Sequence, residues 1–385
     1  MTNQDQYERV VRYYEFLWGP IPLREEYKAA LKETLSEEEI EVAFLLPEGS
    51  TTIDQLRSLA ARSGMPLDRL EEKMESLTSE GLLRTYPEGQ AKVYERNTFL
   101  SFLEIQLRKT EATGLRKVSA QVLDAMIEGQ LQMPTKTPLY RVIPVESTIP
   151  GQSGAEQIEL NIPIADTRTP LPSDIVSEMV KHESLIAVTD CIDRLARKEV
   201  GKGCEHPINV CLAFNKFALA LTNAGAARMI DAEEAIKIIR ECSEMGLVTM
   251  VSNIALGGGI GFVCNCCKCA CLNLNAIRLG ITNMANSSRY VVEFDASECN
   301  NCEFCVSVCP TDAFALVDVQ IELEVAKCIG CGLCVARCPT DALQMVLRAE
   351  LPDIPATEFV LLQQIMAEAQ AASKEESDES RSVFF

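Results

Sequence analysis

The chain has 385 residues, of which 47% are hydrophobic, and a formal net charge of −20. This length accommodates roughly two or three domains, each with its own core. The negative charge argues against a general polyanion-binding protein and favours a partner with a basic docking face.

Charged and polar residues interrupt every long apolar stretch of the sequence. The most apolar one, residues 211–227, contains Asn215, Lys216 and Asn223, so we expect a buried helix there and no membrane span. The N-terminal residues show no continuous apolar segment or cleavage site of a secretory signal, which predicts a cytoplasmic protein. In that reducing compartment the 17 cysteines are better explained as metal ligands than as a disulfide framework.

The first predicted domain, residues 1–95, contains three helices followed by a hairpin. Capping boxes begin the first helix at Ser36 and the second at Thr52, and Pro66 begins the third. The apolar face of the third helix consists of Leu67, Leu70, Met74 and Leu77. The segment "LLRTYPEGQAKVYE" then alternates as two short strands. Over about sixty residues, this order of elements resembles a winged helix-turn-helix domain.

The third helix of such a domain would enter the DNA major groove. Between residues 66 and 80, however, the acidic side chains outnumber the basic ones. The acidic residues are Asp68, Glu71, Glu72, Glu75 and Glu80, and the basic ones are Arg69 and Lys73. DNA would repel this helix, because affinity depends on neutralising phosphates. We therefore favour docking to protein or oligomerisation through this domain, with DNA binding as the open alternative.

Residues 96–185 are predicted to be a linker that wraps around other structure. One helix is expected from Lys117 to Glu128. The segments "YRVIPVEST" and "IELNIPI" alternate as short strands, but glycines and prolines surround them. No catalytic constellation occurs in this region.

Residues 186–285 form a cysteine-rich module, which we expect to be mainly helical. Cys242 shares a helical face with Ala235, Ile238 and Ile239, which predicts a core position. In "CNCCKCAC", by contrast, neither a helix nor a strand could bury all five cysteines on one side. The candidate metal ligands of this module are Cys191, Cys204, Cys211, Cys264, Cys266, Cys267, Cys269 and Cys271. These eight thiols suffice for two four-thiolate sites, or for one site with spare ligands.

Residues 286–348 contain an internal repeat with a spacing of 29 residues, "CNNCEFCVSVCPTDAF" and "CIGCGLCVARCPTDAL". Each copy has the spacing C-x2-C-x2-C-x3-C-P, and this pattern resembles the bacterial dicluster ferredoxins. The resemblance implies one [4Fe-4S] cluster on Cys299, Cys302, Cys305 and Cys338. It implies a second on Cys328, Cys331, Cys334 and Cys309. Zinc is the rival for such thiolate sets. Four flanking strands are expected to form two hairpins of a ferredoxin-like fold.

The cysteine-rich module carries a second resemblance, in "GKGCEHPINVC", "GLVTMVSN" and "VCNCCKCAC". These segments are similar to predicted iron-sulfur proteins of anaerobes, in which such a module precedes the dicluster domain. The resemblance implies electron transfer and at least one additional cluster. Asp193 and Ala270 stand where that family often has cysteine. This leaves three alternatives open: one site is lost, it is carboxylate-ligated, or it has three cysteines and an open iron; its ligands stay unassigned.

Together these observations predict an α+β multidomain protein. It has a winged-helix-like N-terminal domain, a mainly helical cysteine-rich module and a ferredoxin-like C-terminal domain, followed in residues 349–385 by a helix from Ala356 to Ala372 and a disordered acidic tail. The predicted function is electron transfer to a cytoplasmic oxidoreductase such as a flavoprotein. Two alternatives stay open: a redox-sensing transcriptional regulator, and an enzyme that binds substrate at an open iron.

Overall fold

The structure is a computed structural model of the chain. It describes residues 5–64, 69–130, 133, 135–150, 174–254, 259–281, 284–350 and 358–382. Two predictions lie outside the described residues, namely the start of a helix at Pro66 and Leu67 and the strands in "IELNIPI".

The N-terminal part contains helices and a small antiparallel sheet in the expected order. Its elements are α1 (Gln6–Trp18), α2 (Arg24–Thr34), α3 (Glu37–Ala43), β1 (Thr51–Thr52), α4 (Ile53–Ser63), α5 (Leu70–Ser79), β2 (Leu83–Glu88) and β3 (Ala91–Arg96). Both capping boxes are confirmed. The Ser36 and Thr52 hydroxyls accept the backbone N–H groups of Glu39 and Gln55, and the backbone N–H groups of Ser36 and Thr52 donate to the side-chain oxygens of Glu39 and Gln55. The strand order is β1-β3-β2.

The described part of residues 96–185, which were expected to be a linker, contributes apolar side chains to the core of the protein. Its elements are α6 (Phe99–Arg108), α7 (Gly114–Ala125) with a further turn at Met126–Gln130, β4 (Tyr140–Val142) and α8 (Val176–Lys181). The apolar faces of α6 and α7 belong to the same core as those of α1 to α5, and this core continues to Ala196, Leu272 and Ala276. The N-terminal helices are therefore packed directly against the cysteine-rich module.

The cysteine-rich module is a mixed α/β structure, which corrects the expectation that it is mainly helical. Its elements are β5 (Ile186–Asp190), α9 (Ile192–Glu199), β6 (Asn209–Phe214), α10 (Asn215–Asn223), β7 (Ala227–Ile230), α11 (Ala232–Glu244), β8 (Val248–Ser252), β9 (Phe262–Cys266), α12 (Leu272–Arg278) and β10 (Ala285–Asn286). In the described part of the chain they form a seven-stranded sheet with β4, in the order β10-β4-β8-β9-β6-β5-β7. Neighbouring strands are antiparallel except β10 and β4.

The expected helix across residues 211–227 is also corrected. Residues up to Phe214 belong to strand β6, and the helix α10 begins only at Asn215. Nearly all of β6 and β8 is buried. A strand covered on both faces has a continuous apolar run, which periodicity cannot distinguish from a buried helix.

The C-terminal part begins with β11 (Tyr290–Phe294), α13 (Phe304–Val308), β12 (Phe314–Val317), β13 (Gln320–Leu323) and β14 (Leu343–Leu347). Strands β12 and β13 form the expected hairpin, whereas β11 pairs with β14, so the first and last strands close the unit instead of a second hairpin. Helix α14 runs from Glu358 to Ser382, ten residues beyond the predicted end of the helix. The Glu, Lys and Arg residues of this extension are good helix formers.

One core joins the C-terminal unit to the sheet of the cysteine-rich module. It contains Val248, Met250 and Leu274 from the module together with Ile329 and Leu333 from the C-terminal unit. The backbone N–H of Val145 donates to the Cys331 carbonyl at 3.0 Å, which fixes the second motif against the chain that follows β4. Across the described ranges, no helix has the length and apolar character required to cross a membrane.

Candidate metal centres

Cysteines of the first C-terminal motif surround a small cavity together with two cysteines of the second motif. The cavity is lined by Cys299, Cys302 and Cys305 of the first motif and by Cys334 and Cys338 of the second. Cys338 directly follows a helical turn that ends at Arg337. The structure therefore brings together the four residues that the crossed ligand pattern groups in the first set.

The second set lies deeper in the protein. Cys309, Cys328, Cys331 and Cys334 are all buried. Burial raises the pKa of the Cys331 thiol to about 12, and the nearby thiols of Cys309 and Cys328 contribute to the same shift. Burial likewise raises the pKa of Cys334, with contributions from Cys331, Cys328 and Cys309 and from Cys305 of the first motif. Cys309 therefore lies beside the cysteines of the second motif.

The surroundings of these thiols suit iron-sulfur clusters. The N–H of Ala313 donates to Cys309 Sγ at 3.2 Å, and the N–H of Asn301 donates to Cys299 Sγ at 3.4 Å. Hydrogen bonds of this kind stabilise cluster thiolates and tune their potential. Gly330 has a φ of 67°, and a Cβ there would lie 2.0 Å from the Tyr290 carbonyl oxygen. Glycine thus permits the tight loop that presents Cys328 and Cys331.

Residues 291–339 match the 4Fe-4S dicluster domain family. The match includes all eight cysteines of the two motifs. The chain therefore contains an iron-sulfur domain of a type that suggests electron transfer. The comparisons with curated proteins and with solved structures give no significant match.

The two halves of the dicluster domain differ in exposure. Cys302 is exposed and Cys299 is half-buried, whereas Cys328 and Cys331 are buried, and Cys331 lies in the core shared with the cysteine-rich module. Exposed carboxylates surround the outer half, namely Glu293, Asp295, Glu298 and Glu303. The outer half therefore presents an acidic surface.

Five cysteines of the cysteine-rich module form a continuous group that we call the five-thiol pocket. Neighbouring thiols of this group shift one another's pKa, in the pairs Cys191 and Cys211, Cys211 and Cys264, Cys264 and Cys266, and Cys266 and Cys271. Cys264 and Cys266 point to the same side of β9, because side chains alternate along a strand. All five residues line one cavity of about 60 Å³, and Cys267 lines the edge of the same cavity.

The five-thiol pocket contains one thiol with a lowered pKa and two carboxyl groups with raised pKa values. Hydrogen bonds from Cys211 and Cys266 lower the pKa of Cys264, which favours its thiolate. Burial raises the pKa of Asp193 to about 6, and the Asp193 carboxylate accepts the N–H of Leu272 at 2.9 Å. Burial also raises the pKa of Glu104. Asp193 therefore stands beside the thiols, in the position where the sequence resemblance leads one to expect cysteine.

The remaining three candidate cysteines form a separate group, which we call the three-thiol group. The Sγ atoms of Cys204, Cys267 and Cys269 all lie within 4.8 Å of one another. Cys204 belongs to the loop between α9 and β6, and the other two follow β9. The eight candidate thiols are thus divided into five and three, and not into two sets of four. Cys242 lies buried in α11, in agreement with its predicted core position.

Sequence reasoning missed Arg194, a buried cation between the two groups of thiols. Its Nε donates to Cys267 Sγ at 3.4 Å, and its Nη atoms donate to the carbonyls of Pro207 at 2.6 Å and Asn265 at 2.7 Å. The available signal was its position three residues after Cys191, which places both residues on one face of a helix.

Proposed function

We propose that the protein transfers single electrons through the two halves of the dicluster domain and a third iron-sulfur centre in the five-thiol pocket. The ligands of the first two centres are the crossed sets that contain Cys338 and Cys309. The observation that carries the proposal is one packed core, which contains both Cys331 of the dicluster domain and Cys266 and Cys271 of the five-thiol pocket.

A bound [4Fe-4S] cluster supplies an acceptor and donor of single electrons, with a potential set by its surroundings. The protein residues pack the second motif and the five-thiol pocket into one apolar core that excludes water. Met250, Leu274 and Leu333 are buried in the shared core. An apolar, rigid surrounding of this kind limits the reorganisation that accompanies a change in charge.

The outer half of the dicluster domain is the proposed contact with the redox partner. Between residues 286 and 348 the chain has nine acidic and four basic residues, a net charge of −5. Such a surface selects a partner with a basic face and accelerates its encounter. A flavoprotein or another oxidoreductase subunit of the cytoplasm is the partner class that we propose.

The N-terminal part serves, in this proposal, as a docking or oligomerisation module. Its resemblance to a winged helix-turn-helix domain is not accompanied by a surface suited to DNA. Glu71, Glu72 and Glu75 of α5 are all exposed. A redox-sensing regulator would instead retard promoter DNA in a mobility-shift experiment in at least one oxidation state.

A second candidate function is catalysis at the five-thiol pocket. It is favoured by the carboxyl groups of Asp193 and Glu104, since a carboxyl group with a raised pKa can act as a general acid near neutral pH. The cavity of about 60 Å³ is far smaller than the roughly 300–1,000 Å³ of common ligand sites. Electron transfer without a bound substrate is therefore the better-supported function.

The test is the iron and sulfide content of the full chain, purified without oxygen. Three cubane centres correspond to about twelve irons per chain, and two correspond to about eight. The double variant Cys264→Ser/Cys266→Ser should lose about four irons and one electron paramagnetic resonance signal of the reduced protein. Cys242→Ser is the matched control, because this buried cysteine lies outside the five-thiol pocket. About eight irons in both the wild-type protein and the double variant would disprove the third centre.

A further inference from the structure

The three-thiol group differs in geometry from every other group of cysteines in the structure. Among the described residues, it is the only set of three or more cysteine, histidine or acidic side chains whose ligand atoms are all within 4.8 Å of one another. The eight cysteines of the dicluster domain contain no such set in the same part of the chain, and neither does the five-thiol pocket.

The distance between the sulfur ligands of a site depends on whether the site holds one metal ion or a cluster. In a four-iron cluster each cysteine binds a different iron, so the four sulfurs are spread around the whole cluster. A single tetrahedral zinc ion has Zn–S bonds of about 2.3 Å, which brings its sulfurs to roughly 3.8 Å from one another. The mutual proximity of Cys204, Cys267 and Cys269 therefore suits one ion and not a cluster.

The surroundings of the three thiols also favour a thiolate-bound cation. Three thiolates around a divalent ion leave one net negative charge. The Arg194 guanidinium compensates this charge from 3.4 Å, through its hydrogen bond to Cys267 Sγ. This donor stabilises sulfur in its anionic form.

The exposure of the group indicates how the coordination would be completed. Cys267 is buried, Cys204 is half-buried and Cys269 is exposed. The group thus lies at the protein surface, where solvent can reach a bound ion. Three protein ligands with a water in the fourth position are the arrangement of open zinc sites, whereas closed structural sites have four protein ligands.

We propose that Cys204, Cys267 and Cys269 bind a single zinc ion whose fourth ligand comes from solvent. This site is additional to the iron centres of the proposed function and does not depend on them. An open, thiolate-rich zinc ion accepts a soft ligand, so the chemical class of molecule that it would bind is a small thiol or a cysteine side chain of a partner.

The experiment measures zinc and iron separately on the full chain, produced with both metals in the medium and purified without oxygen. The wild-type protein should contain about one zinc ion per chain, and zinc X-ray absorption should show three sulfur ligands at about 2.3 Å and one lighter ligand. Cys269→Ser is the main variant, because this exposed side chain can be changed without opening the core. It should lower zinc retention during dialysis by roughly tenfold or more and leave the iron content unchanged.

Two controls distinguish this site from the iron centres and from general loosening. Cys242 packs in the same small apolar cluster as Cys267 but lies outside the three-thiol group, so Cys242→Ala should keep its zinc. Loss of zinc in this variant too would overturn the three-cysteine assignment. A Cys269→Ser protein that loses about four irons, or a wild-type protein without zinc, would also overturn the proposal. A missing third iron centre would contradict only the proposed function.

Discussion

Gly330 is the residue at which backbone geometry constrains the dicluster domain most strongly. A Cβ at this position would approach the Tyr290 carbonyl oxygen to 2.0 Å and Ser288 Oγ to 2.3 Å, and its φ of +67° is itself unfavourable for other residues. We expect Gly330→Ala to lower the free energy of unfolding by about 2 kcal/mol or more and to reduce the iron content. Thermal denaturation under anaerobic conditions, followed by iron analysis, measures both effects.

The matched control is Gly280→Ala. Gly280 also has a positive φ, of +79°, but its Cβ would meet no atom within 4 Å. This variant should show only the conformational cost, about 1 kcal/mol, and full iron content. Equal destabilisation by the two substitutions would contradict the proposed role of close approach at Gly330.

Among single buried side chains, we expect the largest loss of stability on replacing Arg194. Replacing it with Met keeps the apolar stem of the side chain, but removes three hydrogen-bonding nitrogen atoms and leaves the carbonyls of Pro207 and Asn265 without their partner. We expect Arg194→Met to cost about 3–5 kcal/mol of stability, since breaking a buried charged network is expensive. Denaturant unfolding of the anaerobic protein gives this quantity.

A surface arginine provides the comparison for this loss. Arg228 forms an ion pair with Glu234 at 2.6 Å, in which both side chains are largely exposed. Because exposed pairs contribute little, Arg228→Met should change the stability by less than about 1 kcal/mol. If Arg194→Met lowered the stability by as little as Arg228→Met, the guanidinium would not hold the two groups of thiols together.

At the level of elements, one carboxylate joins helix α14 to the segment that precedes β4. The Glu368 side chain accepts the backbone N–H groups of Lys136 and Thr137 at 2.7 and 3.0 Å and the Thr137 hydroxyl at 2.8 Å. We expect Glu368→Ala to cost about 1.5–3 kcal/mol, because charged hydrogen bonds are lost. Hydrogen exchange should then become faster in residues 358–372 and 135–139. Gln364→Ala on the exposed side of the same helix should leave both segments protected, and faster exchange there would contradict the role of Glu368.

Elements held together by local hydrogen bonds were predictable from the sequence, and those formed by distant strands were not. Ser36 and Thr52 mark their helices because each cap bonds three residues onward. Strand β4 has only three residues, and it pairs with β8 more than a hundred residues away. The cysteines divide into five and three because β9 ends at Cys266. Cys264 and Cys266 within the strand face the five-thiol pocket, and Cys267 and Cys269 directly after it join Cys204. Cys271, which precedes α12, lies beside Cys266 again. No spacing rule shows this division without the strand.

For the whole molecule, the core that the cysteine-rich module shares with the C-terminal unit limits how the function can be tested. A chain that ends at residue 285 would lose Ile329 and Leu333, and it would expose Val142, Val248 and Met250, which those residues cover. The isolated N-terminal part therefore cannot report on the five-thiol pocket. Point substitutions in the full chain keep the core closed, which is why each experiment above uses them.

The charge of the whole molecule leads to a prediction about its electron transfer. With a net charge of −20 and an acidic surface at the outer half of the dicluster domain, the reduced protein should be attracted to a basic acceptor such as cytochrome c. Stopped-flow oxidation should slow by about tenfold or more as ionic strength rises from 0.01 to 0.3 M, because salt screens the attraction. The double variant Glu298→Gln/Glu303→Gln should weaken this salt dependence, whereas Glu233→Gln/Glu241→Gln on α11 should not. Equal effects of the two double variants would mean that net charge alone attracts the acceptor. Electrons would then not leave the protein through the outer half of the dicluster domain.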